Sequence, residues 1–443
     1  MVSKSARRST IWLLVAWTAS RAVIVLWLLR ILPFPGLDAT TDLSVVYPAW
    51  YEVLRSGSFP AHDVTWQYPP AAALAILSPA PLLPFLPYTT AFALIVLVAD
   101  ATVFTTLVTA VQRPARWLSR GRRQAAASTG LDVPLTGAAG TRSLRGACFW
   151  VVGVFLLGPT AYARYDLMVT AVVVVGLLAG ANRPRLLGAA AAFGALLKVW
   201  PALLLLGTRP GRFTRRAWGT AALTAAALIA ALCLMMPGAL AFVAHQHARG
   251  IEIESVGAMV FHIARYFGWA GEVRLNYGSV EFLGPYVSTV SCISLALTVA
   301  SLGWLVLWRV KARCYSAVCL AEAGFAAVLL FIAVSRVISP QYLLWLIGMA
   351  AVCLTFTNGR MLVPSVLTLA ATGVTTLEFP VWFAHVVDSD WLGVSLLVVR
   401  NGLLVSAAFI ACRLAWRDNV IPSSQTAGAG VRVTATSAVR KQV

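Results

Sequence analysis

The chain has 443 residues, of which 59% are hydrophobic and only 12% are charged, and its mean hydropathy is +0.80. Soluble domains carry roughly 25% charged residues, so this composition excludes an ordinary soluble domain and indicates a polytopic membrane protein. The net charge is +19, but the basic residues lie in tails and segments that alternate with apolar runs, and most acids lie in the opposite set of loops. This positive-inside pattern accounts for the charge, and we expect no nucleic-acid partner.

Residues 10–32 are the first predicted span, and the first outer loop follows at residues 33–70. The apolar run exceeds the ~7–15 residues of a signal-peptide core and no small-residue cleavage site follows it, while basic residues ahead of it place the N-terminus in the cytoplasm. In the loop, residues 44–56 predict a short interfacial helix interrupted near Pro48. Aromatic rings there are typical of surface anchors, but Asp42, an acid beside a span, can have its pKa raised by partial burial toward that of a working base.

The topology of residues 71–206 has two solutions. The proline-rich segment 71–87 and the segment 186–206, with Lys-x-x-Pro in its middle, are short or broken apolar stretches. If both cross the membrane, the chain has twelve spans; if both are re-entrant or broken, it has ten, and the seven arginines of 113–145 lie inside. The positive-inside rule favours ten spans and a flexible, basic cytosolic loop at 113–145.

The second half of the chain has one topology. Six apolar runs of spanning length alternate with inner basic segments and outer loops, and the basic tail, residues 416–443, is predicted to be flexible and cytosolic. We therefore predict a single all-α transmembrane domain over residues 1–415, a bundle of 10–12 transmembrane helices with short interfacial helices in the first outer loop. The six runs are 218–243, 283–308, 315–335, 342–357, 361–378 and 392–412.

Polar side chains recur in the outer loops. A single cation at a membrane exit is usually a headgroup contact, but cations and carboxylates on one side together predict a polar cavity at the outer leaflet. Cations suit a phosphate, and carboxylates suit sugar hydroxyls or proton transfer. The polar residues that the outer loops could bring together are Arg164, Asp166, Arg249, Glu252, Glu254, Ser255, Arg336, Gln341 and Tyr342.

Charges within the apolar runs are costly, and they indicate either function or internal ion pairs such as Arg21–Asp100. Lys198 is the most informative of them, because Pro201 breaks the helix beside it. A broken helix can aim a cation and a free backbone N–H at an anion. The other charges of this kind are Glu322 and Arg400.

Five motifs in register along the chain resemble those of glycosyltransferase family 87. The first outer loop carries Asp42, Tyr47, Gly57 and Tyr68-Pro69-Pro70, and ARYDLMVTAVVV, GALLKVWPALLLL, RGIEIES and SPQYLLWL follow in the same order. The family is an actinobacterial group of GT-C membrane enzymes that includes mannosyltransferases of phosphatidylinositol mannoside and lipomannan synthesis and an arabinofuranosyltransferase. The resemblance extends from about residue 10 to residue 415.

The resemblance implies an inverting transferase that uses a polyprenyl-phosphate sugar at the extracytoplasmic face of the cell membrane, with Asp42 as the catalytic base. Asp38 and Asp63 rank below it because they lack its spacing to Tyr47. The implied ligands of the donor phosphate are Arg249, Arg336 and Lys198. The implied substrate-binding residues are Tyr47, Tyr68, Asp166, Glu252, Glu254, Gln341 and Tyr342.

Mannose is favoured over arabinofuranose as the sugar because it is the commoner one in the family, and the acceptor is a lipid or a cell-envelope glycan. The sequence has no nucleotide-binding glycine-rich loop, which fits a lipid-linked donor, and no paired acids in the first loop, so we expect no cofactor and no essential metal. The alternative is a transporter or flippase for lipid-linked sugars. It also places charges in broken helices, but it usually shows an internal repeat, and none is visible in the sequence.

Single cysteines introduced between residues 113 and 145, in a variant without native cysteines, test the topology. A membrane-impermeant thiol reagent is expected to leave them unlabelled in intact cells, because the positive-inside rule places this segment in the cytoplasm. A cysteine in the first outer loop is the matched position, and we expect it to be labelled. Labelling of the 113–145 cysteines in intact cells would favour the twelve-span solution.

Overall fold

The computed structural model describes residues 4–112, 142–247, 250–313 and 315–420. Over these ranges the chain is an all-α polytopic membrane protein with one small sheet. Most of the predicted cytosolic loop at 113–145 and of the predicted tail at 416–443 lies outside the described residues, and so does Arg249.

Six helices are long and apolar enough to span a membrane by length and composition, and six shorter apolar helical segments of 10–17 residues accompany them. The predicted number of 10–12 spans stays a prediction. The α-helices of the described residues are α1 Lys4–Leu28, α2 Tyr47–Arg55, α3 Ala72–Leu77, α4 Tyr88–Gln112, α5 Arg145–Leu156, α6 Asp166–Gly180, α7 Pro184–Leu197, α8 Arg212–Met235, α9 Phe242–His247, α10 Met259–Arg265, α11 Val287–Lys311, α12 Ala317–Ala333, α13 Tyr342–Thr355, α14 Leu362–Thr376, α15 Phe383–Asp388 and α16 Trp391–Asn419.

The apolar runs predicted for the second half are confirmed as α8, α11, α12, α13, α14 and α16. Neither of the two uncertain segments of the first half, 71–87 and 186–206, forms one continuous helix of spanning length. Helix α3 has only six residues. Helix α7 ends before Lys198, whose backbone is extended (φ −155°, ψ 132°), and a 3-10 helix follows at Trp200–Gly207. Pro201 accounts for the end of α7 before Lys198, because proline has no N–H to donate and its ring clashes with the preceding turn.

The main hydrophobic core is centred on α12 and α13, in which nearly every residue is buried. Helices α8 and α11 instead keep most of their apolar surface exposed, with side chains such as Leu234 and Val310 uncovered. Apolar side chains on an outer face are what a helix in contact with lipid requires. Short helices therefore occupy the interior, and these two long helices line the outside.

The charges of α1 and α4 form a buried ion pair, which is one of the two alternatives that the sequence left open. Arg21 Nε lies 2.6 Å from Asp100 Oδ2, and the two side chains are 2% and 0% exposed. Trp150 Nε1 and Tyr162 OH each donate a hydrogen bond of 2.6 Å to the same carboxylate. A buried pair with this many partners links α1, α4 and α5, which is a structural role.

A small antiparallel sheet, which was not predicted, lies between α9 and α11. Its strands are β1 Ile251–Glu252, β2 Glu272–Asn276 and β3 Ser279–Leu283, in the order β1-β3-β2. Strands β2 and β3 form a hairpin whose two turn residues, Tyr277 and Gly278, both have positive φ, as a two-residue turn matching the strand twist requires. The sheet fixes the position of Glu252, one of the predicted site residues.

Two backbone hydrogen bonds attach the first outer loop to later segments of the chain. Leu37 N–H donates to Pro380 O at 2.9 Å, and Phe59 N–H donates to Pro237 O at 3.0 Å. Asp42 and helix α2 lie between these two attachments, so the loop that carries the predicted base has a defined place on the bundle.

His262 on α10 is buried in a second, smaller hydrophobic cluster next to the sheet. Its Nδ1 lies 2.7 Å from Ser389 Oγ, and its Nε2 lies 2.8 Å from Ile253 O. Burial lowers the pKa of His262 from 6.5 to about 4, with a smaller lowering by Arg265 and an opposing effect of the hydrogen bond to Ile253. The imidazole is therefore neutral in the folded protein at neutral pH.

Folding stability is expected to decrease as the pH falls from about 6.5 to about 4. In this range the unfolded chain binds a proton at His262 that the folded protein does not. The free energy of unfolding is therefore unaffected by His262 above pH 6.5 and falls by roughly 3 kcal/mol at most as the pH approaches 4. Thermal unfolding in detergent across this range measures the slope. His262→Gln is expected to reduce the slope, whereas His62→Gln, at an exposed histidine, serves as the control. An unchanged slope in His262→Gln would contradict this source of the pH dependence.

Candidate active site

The centre of the candidate site is an ion pair between Lys198 and Asp166. Lys198 Nζ lies 2.6 Å from Asp166 Oδ1, and the side chains are 11% and 1% exposed. Asp166 begins α6 and Lys198 follows the last residue of α7, so the pair joins the start of one helix to the break after the next. Trp345 Nε1 donates to the same Oδ1 at 2.7 Å. Asp166 Oδ2 is buried and has no hydrogen-bond partner among the described residues.

Four aromatic rings surround the Lys198 ammonium. Nζ lies 5.2–5.4 Å from the ring centroids of Tyr68, Tyr165, Tyr342 and Trp345. Tyr342 and Trp345 stack with centroids 3.9 Å apart, because residues three apart on a helix share a face. Rings around a cation stabilise its charge where water is scarce. The YPP, ARYD, KVWP and SPQY motifs therefore meet at one ammonium group.

Backbone contacts hold the broken segments together. Ala71 N–H, directly after the YPP motif, donates to Leu196 O at 3.0 Å, and Tyr165 OH donates to Leu197 O at 3.3 Å. These carbonyls belong to the last turn of α7, where the helix itself supplies no donors. The end of α7 is thus bonded to both neighbouring motifs.

Asp42 forms an ion pair with Arg164, two residues ahead of Asp166. The side chains of Asp42 and Arg164 are 23% and 18% exposed, so the pair is partly accessible to solvent. Arg164 Nε has no hydrogen-bond partner among the residues that the structure describes.

Arg164 lies within the electrostatic reach of three further carboxylates. Burial lowers the pKa of its guanidinium, and Asp166, Glu252 and Glu254 act in the opposite direction. Arginine stays protonated in proteins, so its charge is shared among these acids and Asp42. The predicted base, one predicted sugar ligand and the RGIEIES acids therefore share one cation.

Glu252 joins the RGIEIES segment to the SPQY segment. Its backbone N–H donates to Arg336 O at 3.1 Å, and Ser339 Oγ donates to Glu252 Oε1 at 2.9 Å. The Arg336 side chain reaches α11, where Nη1 donates to Ser291 Oγ at 3.3 Å. Gln341 is buried just before the first residue of α13. These two predicted motifs are in direct contact.

Glu254 lies beside a second buried cation, Arg400 on α16. Arg400 Nη2 is 3.8 Å from Glu254 Oε1, and Arg400 donates to both oxygens of Glu378 at 2.9 and 2.6 Å. Burial raises the pKa of Glu254, the negative charges of Glu378 and Glu252 raise it further, and Arg400 lowers it. Arg400, predicted as an intramembrane charge, is thus paired inside the protein with Glu378 and lies near Glu254 of the outer loop.

Tyr47 is fully buried rather than a surface anchor. Its ring lies 5.7 Å from that of Trp50, 5.5 Å from that of Phe92 and 6.2 Å from that of Tyr165, measured between centroids. Burial raises its pKa, followed by the effects of the neighbouring tyrosines and Asp166. The hydroxyl is buried without a hydrogen-bond partner in the described part of the chain. The Tyr47 ring therefore belongs to the buried aromatic cluster rather than to the membrane surface.

The other acids of the first loop serve local structure. Asp63 accepts a hydrogen bond of 2.8 Å from Trp50 Nε1, and Asp38 pairs with Arg30 at the exposed start of the loop. Their ranking below Asp42 stays a prediction.

Tyr165 and Trp345 are residues of the candidate site that the sequence did not single out, and Arg164 was named among the polar outer-loop residues without a role of its own. Trp345 could have been found from its three-residue spacing to Tyr342 in SPQYLLWL. The adjacency of Arg164 and Tyr165 to Asp166 was visible, but nothing in the sequence indicated their partners. Within the described ranges no three His, Cys, Asp or Glu side chains are grouped to hold a metal ion. The expectation that no metal is essential stays a prediction.

An apolar helical bundle with acids, cations and aromatic rings gathered at its helix ends is an arrangement suited to a membrane-embedded glycosyltransferase. The family model of glycosyltransferase family 87 matches residues 66–340, more than half of the chain, and the chain belongs to this family. No curated protein matches the chain. The matched range contains Tyr68, Asp166 and Lys198 but begins after Asp42, whose assignment depends on the loop pattern and on the geometry given above.

Replacing one partner of the Lys198–Asp166 pair is expected to destabilise the protein more than replacing both. Lys198→Met or Asp166→Asn leaves one buried charge without its partner, which costs about 3–5 kcal/mol. The double variant contains neither charge, so part of the loss should be recovered. Thermal midpoints and the yield of folded protein in detergent measure this. The exposed Glu52–Arg55 pair, changed in the same three combinations, is the control, and purely additive losses at the buried pair would contradict the expectation.

Proposed function

We propose that the protein is an inverting glycosyltransferase that moves a sugar, mannose rather than arabinofuranose, from a polyprenyl-phosphate donor to a glycolipid or cell-envelope glycan at the extracytoplasmic face of the membrane. Membership of glycosyltransferase family 87 supports the first part of the proposal, the transfer of a sugar. The mechanism and the lipid-linked donor are supported by the accessible Asp42–Arg164 pair beside the buried Lys198–Asp166 cluster. A donor that is half lipid and half polar requires a polar site that opens among apolar helices.

Asp42 is the general base of the proposed reaction. It takes the proton of the acceptor hydroxyl while that oxygen attacks the anomeric carbon from the face opposite the phosphate. The bond from the anomeric carbon to the phosphate oxygen breaks, its electron pair leaves with the phosphate, and the configuration inverts. Because Asp42 is partly exposed, an acceptor can approach it and the proton can pass to water afterwards.

The departing phosphate needs cations, since negative charge grows on it as the bond breaks. Arg336 is half-buried beside Glu252 and is one candidate, and Arg249 remains a candidate from its sequence position alone. Lys198 was predicted for the same role, but its ammonium is already bonded to Asp166 inside four rings. We assign Lys198 instead to holding Asp166 in place.

The sugar is assigned to the aromatic side of the site. Buried polar atoms are nearly always hydrogen-bonded, so the buried Asp166 Oδ2 and Tyr47 OH, which have no such partner among the described residues, are suited to sugar hydroxyls. The ring of Tyr68 lies next to them, with its centroid 5.3 Å from that of Tyr165. The remaining members of the proposed substrate-binding set are Glu252, Glu254, Gln341 and Tyr342.

Asp42→Asn is expected to lower the rate of sugar transfer by a factor of about 10²–10⁴, because an amide cannot accept the proton. Membranes containing the protein are supplied with labelled polyprenyl-phosphate mannose, and the lipid or glycan that takes up the label is identified. The control is Asp38→Asn in the same loop, since Asp38 pairs with Arg30 outside the site.

Two outcomes would count against this proposal. Unchanged transfer by folded Asp42→Asn protein would remove Asp42 as the base. Label that crosses the membrane while still on its polyprenyl carrier, without appearing in any acceptor, would favour the transporter or flippase alternative.

A further inference from the structure

The Asp42–Arg164 pair differs from the other mostly buried ion pairs of the described residues in its access to solvent. Its side chains are 23% and 18% exposed, whereas in the others neither side chain is more than 11% exposed. Those enclosed pairs are Arg21–Asp100, Lys198–Asp166 and Arg400–Glu378. An accessible pair can exchange one partner for an incoming ion, whereas an enclosed pair cannot do so without exposing a buried charge.

We propose that Arg164 binds the phosphate of the donor and that it leaves Asp42 to do so, which frees Asp42 to act as the base only when the donor is present. This inference rests on the proposed function. Arg164 is suited to the exchange because its Nε has no hydrogen-bond partner in the described part of the chain. The enclosed cations Lys198 and Arg400 each already hold a carboxylate oxygen at 2.6 Å.

The exchange uses the shape of the guanidinium group. Its N–H groups form a planar fork that matches the oxygens of a carboxylate and of a phosphate equally well. While Arg164 is bonded to Asp42, it stabilises the carboxylate and makes it a weak base. Once the guanidinium turns to the phosphate, the lone pairs of Asp42 are available to the acceptor hydroxyl.

Charge balance favours a cation between the base and the leaving group. Before transfer, Asp42 carries one negative charge and the donor phosphodiester carries one. During transfer, the proton of the acceptor neutralises Asp42, and the electron pair of the broken bond leaves the polyprenyl phosphate with a second negative charge. One unit of negative charge therefore moves from one side of Arg164 to the other, and the arginine stays close to both.

The neighbouring acids keep the Arg164 guanidinium near the site after it leaves Asp42. Asp166, Glu252 and Glu254 all act on its guanidinium. Since these carboxylates come from different segments of the chain, the side chain can change its hydrogen bonds while its charge stays near the site.

Binding of polyprenyl phosphate without the sugar, measured in detergent, tests the exchange without turnover. Arg164→Gln is expected to weaken binding about 10- to 100-fold, the effect of losing a charged hydrogen bond. Asp42→Asn is expected to tighten binding about two- to fivefold, because the amide no longer competes for the guanidinium. In the double variant the gain from Asp42→Asn should disappear, since the group competed for is absent.

The chain contains a matched control in the same loop. Arg30 and Asp38 form an exposed pair of the same chemistry, and Arg30→Gln and Asp38→Asn are expected to leave the affinity for polyprenyl phosphate unchanged. Thermal unfolding establishes that each variant is folded. If Arg164→Gln does not fold, Arg164→Lys keeps the charge without the planar fork, and we expect affinity between those of the wild type and of a protein without the cation.

Four results decide the inference. Equal affinities of wild type and Asp42→Asn, or wild-type affinity in Arg164→Gln, would overturn it. Loss of sugar transfer in Asp42→Asn without coupling between the two positions would keep Asp42 as the base and still overturn the role of Arg164. Coupled binding in a protein that transfers no sugar would support the exchange and count against the proposed function.

Discussion

The candidate site depends on keeping one ammonium group charged where little water is present. An unpaired charge in apolar surroundings costs several kcal/mol, so Lys198 requires both the Asp166 carboxylate and the surrounding rings. The two partners belong to the start of α6 and the break after α7, so their attraction also fixes how these segments meet. The positions of Tyr68 and Tyr342 follow, since their rings complete the same enclosure.

The buried charges of the protein fall into two kinds by their accessibility. Arg21 with Asp100 and Arg400 with Glu378 are shielded from solvent, and they join helices that would otherwise carry uncompensated charge. The side chains of the Asp42–Arg164 pair are instead partly exposed. The enclosed pairs serve the structure, and the accessible pair is the one to which the proposed function assigns reactivity.

Much of the fold could be predicted from the sequence because the signals are local. Apolar runs identify helices, and Pro201 beside Lys198 identifies a broken one. The pairing of Arg21 with Asp100 could be predicted as an option, since a charge among apolar helices needs a partner. The sheet was missed because its strands have only two to five residues. The partners within the site were not predictable, because the contact between Lys198 and Asp166 depends on packing rather than on any local pattern.

The helices that carry the site residues at their ends are short: α6, α7 and α13 have 14 or 15 residues, whereas α8 and α11 have 24 and 25. At 1.5 Å per residue these lengths are about 21–23 Å and about 36–38 Å, against a hydrocarbon layer of about 30 Å. A helix shorter than the hydrocarbon layer cannot reach both of its surfaces along the membrane normal, so at least one end of each short helix lies at hydrocarbon depth. For the proposed lipid-linked donor, such a depth would let the reacting bond meet the helix ends while the long apolar chain stays among the lipid tails.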